Sequence, residues 1–325
     1  MLNSHSDAAF MAAAIALSQR GRGRTGGNPN VGCIIVKDGK IVGRGWTQPG
    51  GRPHAEAMAL DEASQSSHNA DVYVTLEPCA HESARGPACV DSVIAAKPAR
   101  VVIASLDPDE RTHRKGIDRL GDAGISVSVG LMEKEARQAM GGFFARMEKN
   151  RPFVTLKLAM SLDGCIAMAN GESKWITGAR ARAHAHLERA RSDAILVGSG
   201  TVKADQPGLD VRLDGLDDRN PLPVILGKAD VPDHWQKISK PDAVSDLDNV
   251  NWLLIEGGAS VAASFLRADM VDRMMIYRAP IIFGGGLLSV GDFGLTSLEN
   301  THGQWDLSDR RVLGKDSLEI YDRAA

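Results

Sequence analysis

The stretch GGRPHAEAMAL, residues 50–60, passes from two glycines and a proline into an apolar run, and sets His54 two residues ahead of Glu56. Gly-Gly and Pro mark a turn, so the segment reads as a loop entering a helix from about His54 to Ser64. An imidazole beside a carboxylate at a helix mouth is most often a solvated pair, unless more metal-type ligands follow. They do follow. DVYVTL, residues 71–76, has the texture of a strand and leads into EPCAHESARGPAC, which supplies Cys79 and Cys89. One imidazole and two thiols leave a fourth position open, the composition of a catalytic zinc site, where water is acidified to a pKa near about 7. A carboxylate beside that water, but off the metal, can carry its proton to a leaving amine. His54, Cys79 and Cys89 are therefore the candidate zinc ligands, and Glu56 the candidate catalytic proton shuttle. Nine residues lie between the two cysteines, against two in the nucleic-acid deaminases, which argues against a nucleic-acid substrate. Cys33, inside VGCIIV, reads as a buried apolar side chain and stays outside the metal set.

Working outward, VGCIIV, the turn KDGK, IVGRGW, the helix at His54, DVYVTL, a short helix near VDSVIAA, RVVIASL and GISVSVG alternate as one layered α/β domain. It is preceded by a helix in SDAAFMAAAIALSQRGRG, with Ser6 or Asp7 as its cap; no basic leader or cleavage signature marks a signal peptide. EKEARQAMGGFFARMEKNRP reads as a closing helix and a polar exit at Pro152, giving domains at 1–149 and 150–325. The second domain repeats the alternation through FVTLKLAMSLDG, DAILVG, LPVILG, WLLIEGG and RMMIYRAPIIFGGG. VGSGTVKADQP is rich in small and hydroxyl residues that let backbone amides approach a phosphate or sugar. In EGGASVAASF a strand, two glycines and a helix from near Ser260 would aim free N–H groups at an anion, although this second domain has no G-x-G-x-x-G fingerprint. Between about 214 and 252 the domain reads as shortened: KADVPDHWQKISKPDAVSDLDNVN is polar and without a helical stripe.

The chain has 325 residues, 43% of them hydrophobic, with a formal net charge of −3. That is enough for two cores, and it lacks the basic excess that would draw the chain to nucleic acid or an anionic membrane. Four cysteines in so long a chain point to a reduced, cytoplasmic compartment and not to a disulfide scaffold.

NPNVGCIIVKDGKIVGRGW, HAEAMAL, TLEPCAH and AGISV, in that order, resemble the deaminase half of the bifunctional deaminase/reductases of riboflavin biosynthesis, and the resemblance runs on through GESKWITG, VGSGTVKADQPGLDVR and LLIEGG. It implies a cytidine deaminase-like zinc domain followed by a dihydrofolate reductase-like domain. The first would remove the 2-amino group of diaminohydroxyphosphoribosylaminopyrimidine, and the second would use NADPH to reduce the ribosyl carbon to a ribityl chain. By this resemblance Asn28 meets the substrate base and His81 faces the substrate. In the second domain Ser173, Arg189, Leu209, Arg212 and Glu256 match substrate contacts; Ala159, Trp175, Thr201, Asp205 and Gly258 match NADPH contacts; and Lys157 matches a lysine beside the reacting sugar, where a cation would stabilise developing negative charge. The partner implied is a small phosphorylated pyrimidine, met by a homo-oligomer.

Departures from the family pattern mark particular points. Thr47 stands where the family has a histidine after GW, and SARGPAC is one residue longer than the family's segment before the last cysteine. DPDERTHRKG, residues 107–116, replaces a phosphate- and ribose-contacting stretch, and its Arg111, Arg114 and Lys115 are either phosphate contacts or a solvated basic loop. The rival expectations are a nucleoside or tRNA deaminase, or a deaminase whose second half is only a structural or oligomerisation module.

Overall fold

The computed structural model describes residues 4–81 and 86–324, and the chain divides into two units, Met1–Asn150 and Arg151–Ala325. In the first unit the strands are β1 (Gly32–Lys37), β2 (Lys40–Trp46), β3 (Asp71–Leu76), β4 (Arg100–Ser105) and β5 (Ser126–Val129), in the sheet order β2-β1-β3-β4-β5. β1 and β2 form a hairpin whose turn residues Asp38 and Gly39 both have positive φ, at 49° and 73°, as a tight Asp-Gly hairpin turn requires. β3, β4 and β5 run parallel. The central strands are buried on both faces, which is why VYVTL and VVIAS are almost continuously apolar.

Around this sheet lie α1 (Ser4–Ser18), α2 (Ala55–Ala63), α3 (Cys89–Ala96), α4 (Lys115–Asp122), α5 (Glu133–Ala139) and α6 (Gly141–Lys149). α1 starts at Ser4, so neither Ser6 nor Asp7 is its cap. Asp7 instead accepts hydrogen bonds from Tyr73 Oη (2.7 Å) and from both Nη atoms of Arg100 (2.9 and 2.8 Å), tying the helix to β3 and β4. The single closing helix expected over EKEARQAMGGFFARMEK is two helices, broken at the fully buried Met140 just ahead of Gly141 and Gly142. Paired glycines weaken a helix interior, and Met140 is held by the core of the sheet.

The second unit contains β6 (Phe153–Met160), β7 (Cys165–Ala167), α7 (Ala179–Ala190), β8 (Ala194–Gly198), α8 (Ser199–Asp205), β9 (Leu222–Leu226), β10 (Gln236–Ile238), β11 (Trp252–Ile255), α9 (Ala259–Arg267), β12 (Arg273–Arg278), β13 (Leu287–Leu288), β14 (Trp305–Leu313) and β15 (Asp316–Arg323). Its main sheet has the order β10-β9-β8-β11-β6-β12-β15-β14, parallel from β10 to β12 and closed by an antiparallel hairpin. The polar tract 228–251, which reads as shortened and without a helical stripe, carries no α-helix but is not empty of structure. It supplies the three-residue edge strand β10 and a short 3-10 turn, and sends Ile238, Val244, Leu247 and Val250 into the core. Isolated apolar residues in a charged segment carry no helical period, so they escape a search for one. No described helix is long and apolar enough to cross a membrane.

Candidate active sites

The first site is assembled from three segment ends. His54 sits at the N-cap of α2 in extended conformation, Cys79 follows β3, and Cys89 is the first residue of α3. His54 Nδ1 lies 3.1 Å from Cys89 Sγ and 3.7 Å from Cys79 Sγ, and the ligand atoms of all three residues fall within 4.8 Å of one another. Cys79 Sγ also accepts the Cys89 backbone N–H at 3.2 Å. The Cys89 thiol and, against burial, the His54 imidazole hold Cys79 down at about 4; Cys89, with that neighbour and its own burial, is pushed well up. Two sulfurs and an imidazole nitrogen converging in a buried corner fit a zinc ion by donor type and number, and the pair must shed protons to take it.

Glu56, in the first turn of α2, is 4% exposed, and burial raises its carboxyl above the usual range. It faces the same cavity as His54 and Cys79, a space of about 320 Å3 that is also lined by Asn28, Thr47, Arg52, Glu77, His81, Asp107, Asp109 and Arg111. α2 can carry this pair into the sheet because Gly43 and Gly45 in β2 have no side chains: a Cβ at Gly45 would stand 1.9 Å from the Ala55 carbonyl oxygen. Thr47 is buried, and its hydroxyl accepts the Val31 N–H at 2.9 Å, so the residue that departs from the family pattern braces the floor of the cavity. Asn28 Nδ2 donates to the Thr25 carbonyl (2.8 Å), and His81 Nδ1 is 3.2 Å from Thr112 Oγ1.

Of the three basic residues in DPDERTHRKG only Arg111 lines the cavity, and Asp109 holds it through paired contacts of 3.0 Å at Nε. Lys115 Nζ turns back to the Glu110 carbonyl, 2.8 Å away. The loop is organised by Glu77, which the sequence reading passed over although it stands in TLEPC. One of its carboxylate oxygens accepts N–H groups from Gly116 (3.0 Å) and Ile117 (3.4 Å), the other from Arg114 (3.1 Å) and Asp107 (3.4 Å). It thus caps α4 from outside the helix. Asp107, also unforeseen, is pushed up by burial to about 7. Residues 82–85, which include most of the SARG departure, lie outside the described residues.

The second site lies at the carboxyl ends of parallel strands, where open α/β sheets bind ligands. Glu256, directly after β11, accepts two hydrogen bonds from Arg189 of α7 (2.7 and 3.0 Å) and one from Lys157 of β6 (3.4 Å). Burial alone would raise the Glu256 carboxyl, but Lys157 and Arg189 overcome it and hold the group down at about 2. Arg189 Nη1 also donates to the Asp210 carbonyl (2.9 Å), drawing in the 209–212 loop, where Leu209 is buried and Arg212 is exposed and paired with Asp210. The turns into α8 and α9 nest together, since a Cβ at Gly198 or at Gly257 would meet Val261 at 2.5 or 2.6 Å. Thr201 lies in the first turn of α8, and Gly258 caps α9, where an added Cβ would meet only the Ile166 side chain at 4.0 Å. Asp205 is bridged to Lys174 (3.1 Å), next to Trp175, which is 68% exposed with the Arg182 guanidinium over its ring. Ala159 pairs with Tyr277 across β6 and β12, and Ser173 lies in the segment before α7. Bared helix starts, a glycine-lined turn and a free aromatic face fit a dinucleotide by their chemistry.

Comparison with known proteins assigns a family to each unit. Residues 4–105 match the cytidine and deoxycytidylate deaminase zinc-binding region, and residues 152–316 match the RibD C-terminal domain. This pairing defines a two-activity enzyme, a zinc-dependent deaminase joined to an NADP-dependent reductase. The Riboflavin biosynthesis protein RibD of Escherichia coli is 40% identical over 86% of this chain and 89% of its own, and that of Aquifex aeolicus is 37% identical over 91% and 92%. A solved structure of Acinetobacter baumannii RibD superposes with a TM-score of 0.88 at 34% identity, covering 99% of this chain and 100% of that one. A Thermotoga maritima diaminohydroxyphosphoribosylaminopyrimidine deaminase/5-amino-6-(5-phosphoribosylamino)uracil reductase does so with a TM-score of 0.88 at 32% identity, over 99% of both. The chain belongs to the RibD family of bifunctional riboflavin-biosynthesis enzymes.

Proposed function

We propose that the first unit hydrolytically deaminates diaminohydroxyphosphoribosylaminopyrimidine and that the second reduces the ribosyl group of the deaminated product. The observation that carries the first step is the convergence of His54, Cys79 and Cys89 at a cavity that His54, Cys79 and the buried Glu56 line. His54, Cys79 and Cys89 would hold zinc, which supplies an acidified water for attack on the ring carbon bearing the amine. Glu56, raised by burial, is suited to accept a proton from that water and return it to the departing ammonia. Asn28 and His81 would orient the pyrimidine.

In the second unit NADPH would supply the reducing equivalent, held by Ala159, Trp175, Thr201, Asp205 and the turn at Gly258. Ser173, Arg189, Leu209, Arg212 and Glu256 would hold the substrate. Lys157, paired with Glu256 at 3.4 Å, would stabilise negative charge developing on the sugar oxygen as the ring opens. Boundaries at 1–149 and 150–325, work in the cytoplasm and assembly as a homo-oligomer complete the reading.

The test follows ammonia release and NADPH oxidation separately on the pyrimidine substrate. Wild type should show both, and Lys157→Ala should lose oxidation at least about a hundredfold while keeping ammonia release. Ammonia release with no NADPH oxidation in wild type would leave the second unit as a structural module.

A further inference from the structure

The wall of the deaminase cavity holds the carboxylates of Glu56, Glu77, Asp107 and Asp109 and the guanidinium groups of Arg52 and Arg111. Two of the carboxylates are already engaged. Glu77 is occupied by the four backbone N–H groups of the 107–117 segment, and Asp109 by the Arg111 guanidinium. Arg111 is therefore a neutralised cation. Arg52 is different: among the described residues it makes no hydrogen bond and no ion pair, yet it lines the same cavity.

Its placement is defined by backbone on two sides. Arg52 is extended, with φ −143° and ψ 149°, and stands two residues ahead of the ligand His54. Its Nη1 lies 3.0 Å from where a side chain at Gly86 would begin, and Gly86, with φ 141°, belongs to the segment that joins Cys79 to Cys89. The guanidinium thus passes between the two chain segments that carry the metal ligands, over a residue with no side chain to obstruct it. A guanidinium fork matches two phosphate oxygens at once, and a partially buried cation with no carboxylate partner among the described residues is the group a dianion would seek.

We propose that Arg52 binds the phosphate of the substrate in the deaminase site and so sets its preference for the phosphorylated form. This rests on the deaminase reading above. The experiment uses the zinc-loaded full chain, its R52A and R52K variants, and two substrates, the phosphorylated pyrimidine and its dephosphorylated counterpart, with ammonia release as the readout. R52A is expected to raise KM for the phosphorylated substrate about tenfold or more with kcat little changed, and to leave kcat/KM on the dephosphorylated one where it was; R52K recovers part of the loss. Equal losses on both substrates, a fall in kcat alone, or no change would overturn the assignment while leaving the deaminase intact. A wild-type chain that deaminates neither substrate would sink the deaminase reading, and this proposal with it.

Discussion

Glu56 stands under two opposed influences: it lies in the first turn of α2, where the helix favours a negative charge, and it is buried, which disfavours one. The outcome is a raised carboxyl beside the ligand set, a group suited to taking and returning a proton. Glu56→Gln keeps the volume and removes the proton acceptor. It should retain wild-type zinc by metal analysis and lose ammonia release by about a thousandfold or more; a loss below tenfold would remove the shuttle role. Glu256 shows the opposite balance, its carboxyl held at about 2 against an ordinary 4.5. A depressed acid stabilises the fold above its unfolded pKa, and that contribution disappears as the pH falls from about 4.5 toward 2. Denaturant unfolding of wild type and Glu256→Gln should therefore differ by about 3 kcal/mol at pH 7 and converge on acidification. Parallel pH profiles would mean that the Lys157 and Arg189 contacts do not stabilise the fold.

At the scale of elements, legibility followed periodicity and ligand type. VGCIIV, DVYVTL and RVVIASL became β1, β3 and β4 because buried parallel or central strands are apolar throughout, and HAEAMAL became α2 behind a turn. The clustering of His54, Cys79 and Cys89 was legible because histidine and cysteine declare their chemistry by type. Arg52, Glu77 and Asp107 were not, since an arginine or a carboxylate is ordinary on any surface and gains meaning only from what surrounds it. The C-terminal hairpin of β14 and β15 was missed for a related reason: β14 is mostly exposed and charged, so WDLSDRRVL shows no apolar face. The closeness of α2 to β2 was also illegible, although it positions His54 and Glu56. Gly45→Ala should force the helix off the sheet, lowering stability by about 1–3 kcal/mol and reducing zinc content. Gly121→Ala in α4, where nothing lies within 4 Å of the added Cβ, should leave both unchanged. Equal melting temperatures for the two variants would refute the packing argument.

For the molecule as a whole, each unit has a hydrophobic core of its own, and the first is filled by side chains such as Tyr73, Ile34, Ile35, Ile103 and Leu120. The candidate metal ligands hang from the ends of elements that this core already fixes, and a Cys89 amide already donates to the Cys79 sulfur. The ion is thus a guest in a finished room, unlike the metal of a zinc finger, which builds the room around itself. Chelation should strip zinc and silence ammonia release while far-ultraviolet circular dichroism stays at its starting value, and added zinc should restore turnover without a refolding lag. Collapse of the spectrum on chelation would show the opposite dependence. A chain of this kind can be made and folded before metal reaches it, so scarcity of zinc would idle the deaminase without destroying it, and the reductase on the same chain would still turn over deaminated substrate supplied to it.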